Sequence, residues 1–117
     1  MNLFLHVKLI SDQLQFSPPL VISNATYTDI DNFSEATVVN TCLQAIDNSE
    51  KLLVYFDCQT NAELGSVMRL FNKMAQYKKP MKIVYTGDHP VMIKLLKRFG
   101  EKVETGGVGV AMGFIED

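Results

Sequence analysis

The sequence predicts a single α/β domain, and three observations lead to this prediction. Apolar residues recur at every second position in several short segments and at every third or fourth position in three longer ones. These periods are those of β-strands and amphipathic α-helices, respectively. The two kinds of segment alternate along the chain, which favours right-handed crossovers between parallel strands. A length of 117 residues suits one hydrophobic core, so we expect residues 1–117 to form one domain.

Composition and charge argue against several classes of protein. The formal net charge is −2 and the basic residues are balanced by acids, so we expect no nucleic-acid binding. No apolar run approaches the roughly 20 residues that a membrane span requires. The N-terminal residues lack the basic start and cleavage site of a secretory signal, which predicts a cytoplasmic protein. The two cysteines have no CxxC spacing and no paired histidines nearby, so we expect no metal site, no disulfide framework and no cofactor.

Two strands are predicted in the N-terminal region. Residues 3–10 alternate between two side-chain faces, as in a strand with one buried and one partly wet face. Residues 20–23 predict a second, weaker strand that Tyr27 extends. We expect the N-terminal strand or strands to run antiparallel to a parallel central pair, which gives a mixed sheet of four or five strands.

The first of three amphipathic helices is predicted over residues 33–47. Apolar residues recur there at spacings of three and four, which is the spacing of one helical face. Asn32 and Glu35 have the spacing of a capping box, in which each side chain accepts a hydrogen bond from a free amide at the helix start. We therefore expect this pair to begin the helix.

The second helix has the clearest signal, and it follows a predicted central strand over residues 51–56. That strand is apolar on both faces, as expected where helices cover a sheet. Six apolar residues then form a stripe with helical spacing: Leu64, Val67, Met68, Phe71, Met74 and Ala75. Lys78 and Lys79 suit the negative end of the helix, and Pro80 stops it near Tyr77.

A strand over residues 81–86 precedes the third helix. Pro90 fits the first helical turn, and Asp88 or His89 caps it. Gly100 supplies the left-handed conformation that ends the helix. These residue types therefore predict both ends of the helix.

A last strand is predicted over residues 108–114, where glycine and alanine leave one face almost bare. This strand and the first strand are candidates for unprotected sheet edges. A structural subunit that forms a homodimer through such an edge is therefore one alternative for the function.

Two polar loops are expected to meet at one edge of the sheet, because ligands and chemistry collect at the carboxyl ends of parallel strands. An enzyme would use Cys58 as nucleophile and His89 as base. Asp57 or Asp88 would then orient the histidine. In the structural alternative, Cys58 fills the end of a strand, Asp88 caps a helix and His89 is a solvated loop residue.

Thr60 is the hydroxyl residue of interest in the first of these loops. Thr60 and Glu63 have the spacing of a second capping box, which alone would explain both residues. The same hydroxyl at an exposed helix start would also accept a phosphate, which brings close to two negative charges to a partner surface. The sequence leaves both interpretations open.

The order of elements between Tyr27 and Gly100 resembles that of the STAS domains of anti-sigma factor antagonists. The resemblance is carried by the strand LLVYFDC, a polar turn, the helix AELGSVMRLFNKMAQYKKP, the strand MKIVYTG and the helix HPVMIKLLKRFG. In those proteins the turn before the second helix reads about DSSGLG, and a partner kinase phosphorylates its serine to break a complex. Leu64 and Gly65 match this motif, and Ala62 stands at the place of the phosphoacceptor.

The chain is similar in a second way to the SiaC-type regulatory phosphoproteins, a variant of the same fold. Their strand ends in tyrosine, phenylalanine and asparagine before a cluster of hydroxyl residues. Tyr55, Phe56 and Asp57 match this pattern loosely, with aspartate in place of asparagine. The resemblance implies that Thr60 is the hydroxyl that a kinase would modify.

We therefore expect a non-enzymatic, STAS-like α/β domain that docks a protein partner, either a kinase or an anti-sigma-like regulator. The predicted partner-binding or regulatory residues lie in the loop and at the start of the second helix: Asp57, Cys58, Gln59, Thr60, Asn61, Ser66 and Arg69. If Thr60 is a switch, Thr60→Glu weakens the complex and Thr60→Ala leaves it intact. The alternative is a small-molecule or sulfur-handling protein that uses Cys58 at the same edge.

Overall fold

A computed structural model describes residues 2–11 and 25–106 of the chain, together with Gly109 and Phe114. The elements follow one another in the order β1 Asn2–Leu9, β2 Thr26–Asp31, α1 Ala36–Asn48, β3 Lys51–Cys58, α2 Met68–Gln76, β4 Met81–Gly87, α3 Pro90–Leu96 and β5 Val103–Thr105. Short 3-10 segments, Gly65–Val67 and Lys97–Lys102, precede α2 and follow α3. None of the described helices is long and apolar enough to cross a membrane.

The five strands form one sheet in the order β2-β1-β3-β4-β5. The predicted α/β class, with a sheet of up to five strands and three helices, is thus confirmed. The antiparallel direction expected for the N-terminal strands is wrong, because every pairing in this sheet is parallel. In β1, Leu5 lies between Thr28 of β2 and Val54 of β3. Leu3, Phe4 and Leu5 are fully buried, so β1 is a central strand covered on both faces, as is usual in parallel sheets.

All three helices pack on one face of the sheet. The side chains between the helices and the sheet are mostly aliphatic or aromatic and include Leu5, Val7, Cys42, Ile46, Val54, Phe56, Leu70, Phe71, Met74, Ile83, Met92 and Leu96. The opposite face carries a smaller apolar cluster of Phe4, Leu53, Tyr55 and Val84, against which Tyr27 and Phe114 pack. We call this second surface the helix-free face, since α1, α2 and α3 all pack on the other side of the sheet.

The predicted helix α2 is confirmed, although its beginning and its buried stripe differ in detail. Val67, Phe71 and Met74 are buried as predicted, and Tyr77 follows the last helical residue. Met68 is 45% exposed, and Leu70 is buried on the stripe in its place. The buried residues Val67, Leu70, Phe71 and Met74 are themselves spaced i, i+3, i+4 and i+7, so they form an ordinary helical stripe and Met68 lies beside it.

The predicted start of α3 is confirmed, and the predicted capping box of α1 is wrong. His89 caps α3 by accepting a hydrogen bond from the backbone N–H of Met92, and Pro90 is the first helical residue. At α1, Glu35 is the cap position and makes no side-chain cap bond. The Asn32 amide instead accepts from Ile10 N and donates to Ile10 O, both at 2.9 Å.

Two further expectations concern the ends of the described segments. The predicted strand over residues 20–23 lies outside the described residues, and β2 begins later, at Thr26. Most of the predicted strand over residues 108–114 also lies outside them, whereas β5 is formed earlier in the chain. Gly100, with φ of 57°, provides the predicted left-handed turn between α3 and β5.

The double hydrogen bond of Asn32 fastens the end of β2 to the end of β1. We expect Asn32→Ala to lower the free energy of unfolding by about 2–3 kcal/mol, because it leaves a buried N–H and a buried C=O of Ile10 without partners. Asn40→Ala is the matched control, since Asn40 is exposed and its amide oxygen accepts only a surface bond from Arg69. The control should change the unfolding free energy by less than about 0.5 kcal/mol. Equal losses in a urea titration of the two variants would contradict this assignment.

Candidate functional site

The candidate site lies at the edge of the sheet where the parallel strands end. The strand order 2-1-3-4-5 means that the chain leaves β1 in one direction and later returns to its other side, which places the switch point between β1 and β3. Ligands of open α/β sheets bind at such a point, outside the carboxyl ends of the strands. The segment that emerges there from β3 comprises residues 59–66, which we call the carboxyl-edge loop.

Gln59 closes the space between β1 and β3 at the switch point. Its side-chain oxygen accepts hydrogen bonds from the backbone N–H and the hydroxyl of Ser11, at 2.9 and 2.8 Å. Its own backbone N–H donates to the carbonyl of Leu9 at 2.9 Å. These contacts anchor the first residue of the carboxyl-edge loop to the residues that follow β1. The predicted site residue Gln59 therefore positions the loop.

Thr60 and Asn61 form the exposed tip of the loop. A turn bond from the Ala62 N–H to the Gln59 carbonyl, at 3.1 Å, holds the two residues in a bend. Both side chains are exposed. The predicted capping box of Thr60 and Glu63 is wrong, because the first helical turn starts only at Gly65 and has no side-chain cap bond.

The far side of the loop is fastened by His89. The imidazole Nε2 of His89 donates to the carbonyl oxygen of Ala62 at 2.6 Å, and Nδ1 accepts from the backbone N–H of Met92 at 3.3 Å. The backbone N–H of His89 donates to the hydroxyl of Tyr85 at 2.6 Å. His89 is only 4% exposed, so the interpretation of it as a solvated loop residue is wrong. With both ring nitrogens engaged, His89 is not placed to act as a base toward Cys58.

Cys58 lies on the helix-covered face at the end of β3. Its side chain is buried in the core, and this burial raises the pKa of the Cys58 thiol to about 12, with a smaller contribution from the charge of Asp57. Nucleophilic cysteines need the opposite environment, one that stabilises the thiolate near neutral pH. The position of Cys58 therefore gives no support to a thiol-based activity.

Ser66 and Arg69 tie the beginning of α2 to the region around α1. The hydroxyl of Ser66 donates to the carbonyl of Asn32 at the long distance of 3.4 Å. The Arg69 guanidinium donates to the side-chain oxygen of Asn40 at 2.6 Å. A Cβ at Gly65 would overlap the Asn32 carbonyl oxygen, so the loop passes β2 at a point where only glycine fits.

Asp57 belongs to a polar group on the helix-free face that the sequence did not reveal. Its carboxylate lies 4.0 Å from Nε2 of His6, and its side chain is 49% exposed. The His6 ring stacks on Tyr55 with a centroid distance of 4.9 Å, and its Nδ1 is 2.8 Å from the hydroxyl of Tyr27. Lys8 lies on β1 like His6, and its Nζ forms an ion pair with the carboxylate of Asp29 at 3.0 Å. Nothing in the sequence pattern of β1 distinguishes His6 from an ordinary strand residue.

The His6 ring is held neutral by its surroundings. Burial lowers the pKa of His6 below 6.5, and the positive charge of Lys8 adds to this effect, whereas Asp57 and Asp29 oppose it. A distance of 4.0 Å to the Asp57 carboxylate is too long for a hydrogen bond. Within the part of the chain that the structure describes, Nε2 is a buried atom without a hydrogen-bond partner.

The described residues contain no group of three or more histidine, cysteine or acidic side chains that could hold a metal ion.

The chain matches no known family model, and it matches neither a curated protein nor a solved structure. The seven predicted site residues lie in four different environments. Thr60 and Asn61 are exposed at the tip of the loop, Cys58 is buried, and Asp57 is on the helix-free face. Gln59, Ser66 and Arg69 form hydrogen bonds that hold the loop and the start of α2 in place.

The lowered pKa of His6 predicts a pH-dependent stability. Below about pH 6.5 the unfolded chain binds a proton at this position more readily than the folded protein does, so stability is full above that pH and falls as the pH decreases. The slope from this residue cannot exceed about 1.4 kcal/mol per pH unit. His6→Phe keeps an aromatic ring beside Tyr55 but removes the titratable imidazole. The loss of stability between about pH 7.5 and 5.5 should therefore be smaller in this variant than in the wild type.

Urea unfolding midpoints at the two pH values measure this difference. The two proteins differ only at residue 6, so the contributions of all other residues cancel in the comparison. An identical loss of stability in wild type and His6→Phe would show that His6 is not responsible.

Proposed function

We propose that this domain is a non-enzymatic, cytoplasmic regulatory module that docks a protein partner through the carboxyl-edge loop. The proposal is supported by the structure of this loop, which has an exposed tip and is held by hydrogen bonds on both sides of the tip. Gln59 holds one flank to Ser11, and His89 holds the other through the Ala62 carbonyl. A loop held in this way presents Thr60 and Asn61 in one conformation, which lowers the entropy cost of binding.

Large apolar side chains are exposed beside this loop. Met68, at the start of α2, is 45% exposed, and Phe33, just after β2, is 47% exposed. The contact between Ser66 and the carbonyl of Asn32 brings the two segments that carry them side by side. Methionine and aromatic residues are enriched at the centres of protein interfaces, with polar groups at the rim. A protein partner could bury these two side chains while it contacts the polar tip.

Thr60 is the position where we propose that phosphorylation regulates docking, as the resemblance to STAS domains and SiaC-type phosphoproteins suggests. The hydroxyl is exposed at the tip of the carboxyl-edge loop. A phosphate that is buried in an interface without a positive partner disrupts binding through the cost of its desolvation. The helix start, whose free amides would attract a phosphate, lies further along the chain at Gly65 and does not offset this cost.

Substitutions at Thr60 test this proposal. The protein would be cross-linked in its native cell, and the captured partner would be identified and purified for binding measurements. We expect Thr60→Glu to weaken the complex about tenfold, which corresponds to about 1.4 kcal/mol. Thr60→Gln is the matched control, because glutamine has the shape of glutamate without its charge. Thr60→Ala removes the hydroxyl. Both should bind within about twofold of the wild type, because neither buries a charge.

Equal affinities for Thr60→Glu and Thr60→Gln would refute the switch. Loss of the complex in Met68→Ser, together with unchanged binding in all three Thr60 variants, would retain docking beside α2 and reject the regulatory role of Thr60.

A further inference from the structure

The edge strand β5 and the end of α3 enclose a groove of about 620 Å³ on the helix-covered side of the sheet. Val103 and Thr105 lie opposite Ile83 and Tyr85 of β4 in the parallel register, so their side chains point to the same face as those residues. The described lining consists of Tyr85, Thr86, Gly87, Ile93, Leu96, Lys97, Gly100, Val103, Thr105 and Gly106. None of residues 59–66 belongs to the described lining of this groove, and its role is independent of the docking proposed above.

The groove exists because the elements around it are short. Helix α3 spans only seven residues, and the chain then bends sharply at Gly100, which has φ of 57° and ψ of −124°. A Cβ at Gly100 would meet no atom within 4 Å, so this side of the groove is open. The volume falls within the range of about 300–1,000 Å³ that is typical of small-molecule sites.

The chemistry of the lining is apolar with a single charge. The side chains of Leu96, Val103 and Ile93 supply aliphatic surface, and the ring of Tyr85 is buried beside them. Lys97 is the one charged residue in the described lining, and no carboxylate accompanies it there. The other polar side-chain groups of the described lining are the hydroxyls of Tyr85, Thr86 and Thr105, and that of Tyr85 accepts a hydrogen bond from the His89 N–H.

We propose that this groove binds a small amphipathic carboxylate, with its apolar body between α3 and β5 and its carboxylate at Lys97. An apolar body gains free energy by covering the aliphatic lining, and Lys97 makes an anion preferable to a neutral molecule of the same shape. A cationic ligand is disfavoured, because it would meet the positive charge of Lys97, and the described part of the lining contains no acid to offset that charge.

The size of the charge effect follows from the exposure of Lys97. An exposed ion pair is worth at most about 1 kcal/mol, which corresponds to about a fivefold difference in affinity. The body of the ligand therefore provides most of the binding, and Lys97 provides the preference for an anion. A bulky side chain that fills the groove should abolish binding of the ligand. Removal of the Lys97 charge should abolish only the preference for an anionic over a neutral ligand.

Decanoate and decanol are the probes, because they share an apolar chain and differ in the charged group. Each is titrated into nitrogen-labelled protein, and the backbone amide signals of Gly87, Gly100 and Gly106 report on the groove. We expect saturable shifts at these glycines and about two- to fivefold tighter binding of decanoate than of decanol. In Lys97→Met the two probes should bind equally. In Lys94→Met, the matched control on α3 outside the described lining, the preference should be kept.

Thr105→Trp is the second test, since Thr105 is exposed on an edge strand and a tryptophan there would fill the groove. We expect it to weaken both probes at least about tenfold while the urea unfolding midpoint stays at the wild-type value. Equal wild-type affinity for decanoate and decanol would overturn the proposal. So would shifts confined to other parts of the chain, or the same loss of preference in Lys94→Met as in Lys97→Met.

Discussion

The parallel pairing of β1 with both of its neighbours is the constraint on which the rest of this structure depends. The first strand of the chain lies between β2 and β3 and is buried on both faces. The carboxyl ends of these strands therefore lie at the same edge, and the segments that follow them must satisfy their backbone groups close to one another. The Asn32 side chain forms hydrogen bonds with the backbone N–H and carbonyl of Ile10, and the Gln59 side chain accepts one from the backbone N–H of Ser11. The polar side chains at this edge thus hold the sheet together and also shape the candidate site.

The same constraint explains why the short polar stretch after β3 divides into different environments. Successive residues of a strand point to opposite faces, so Asp57 reaches the helix-free face while Cys58 enters the core. Gln59 turns toward β1, and the chain is then free to present Thr60 and Asn61 to solvent. Residues that are adjacent in sequence therefore do not form one catalytic group. The thiol, the carboxylate and the exposed hydroxyl are separated by the geometry of the strand end.

The sequence predicted what depends on local pattern. The strands β3 and β4, the helix α2 and the start of α3 at Pro90 follow from side-chain periodicity and residue type within a few positions, whereas the choice between Asp88 and His89 as its cap was left open. The direction of β1 could not be predicted in this way, because it depends on pairing with strands far along the chain. His6 and Lys8 on alternate positions of β1 suggested a partly wet face, whereas His6 is buried against Tyr55.

The candidate site was predictable in position and only partly in detail. The exposed tip at Thr60 agrees with the location predicted from the sequence, but both predicted capping boxes are wrong for physical reasons. Asn32 has a stronger alternative in the buried backbone of Ile10, with which it exchanges two hydrogen bonds. Near Thr60, the first helical turn begins only at Gly65 and has no side-chain cap bond. At Asn32, a tertiary contact overrode the local capping preference.

Hydrogen–deuterium exchange can locate the surface at which a protein partner binds. Exchange would be followed on the free protein and on the complex captured from its native cell. If the partner docks at the carboxyl-edge loop, as proposed, protection on binding is concentrated in residues 59–66 and in the first turn of α2. Unchanged exchange in that segment, with protection of α3, β5 or the helix-free face instead, would contradict it.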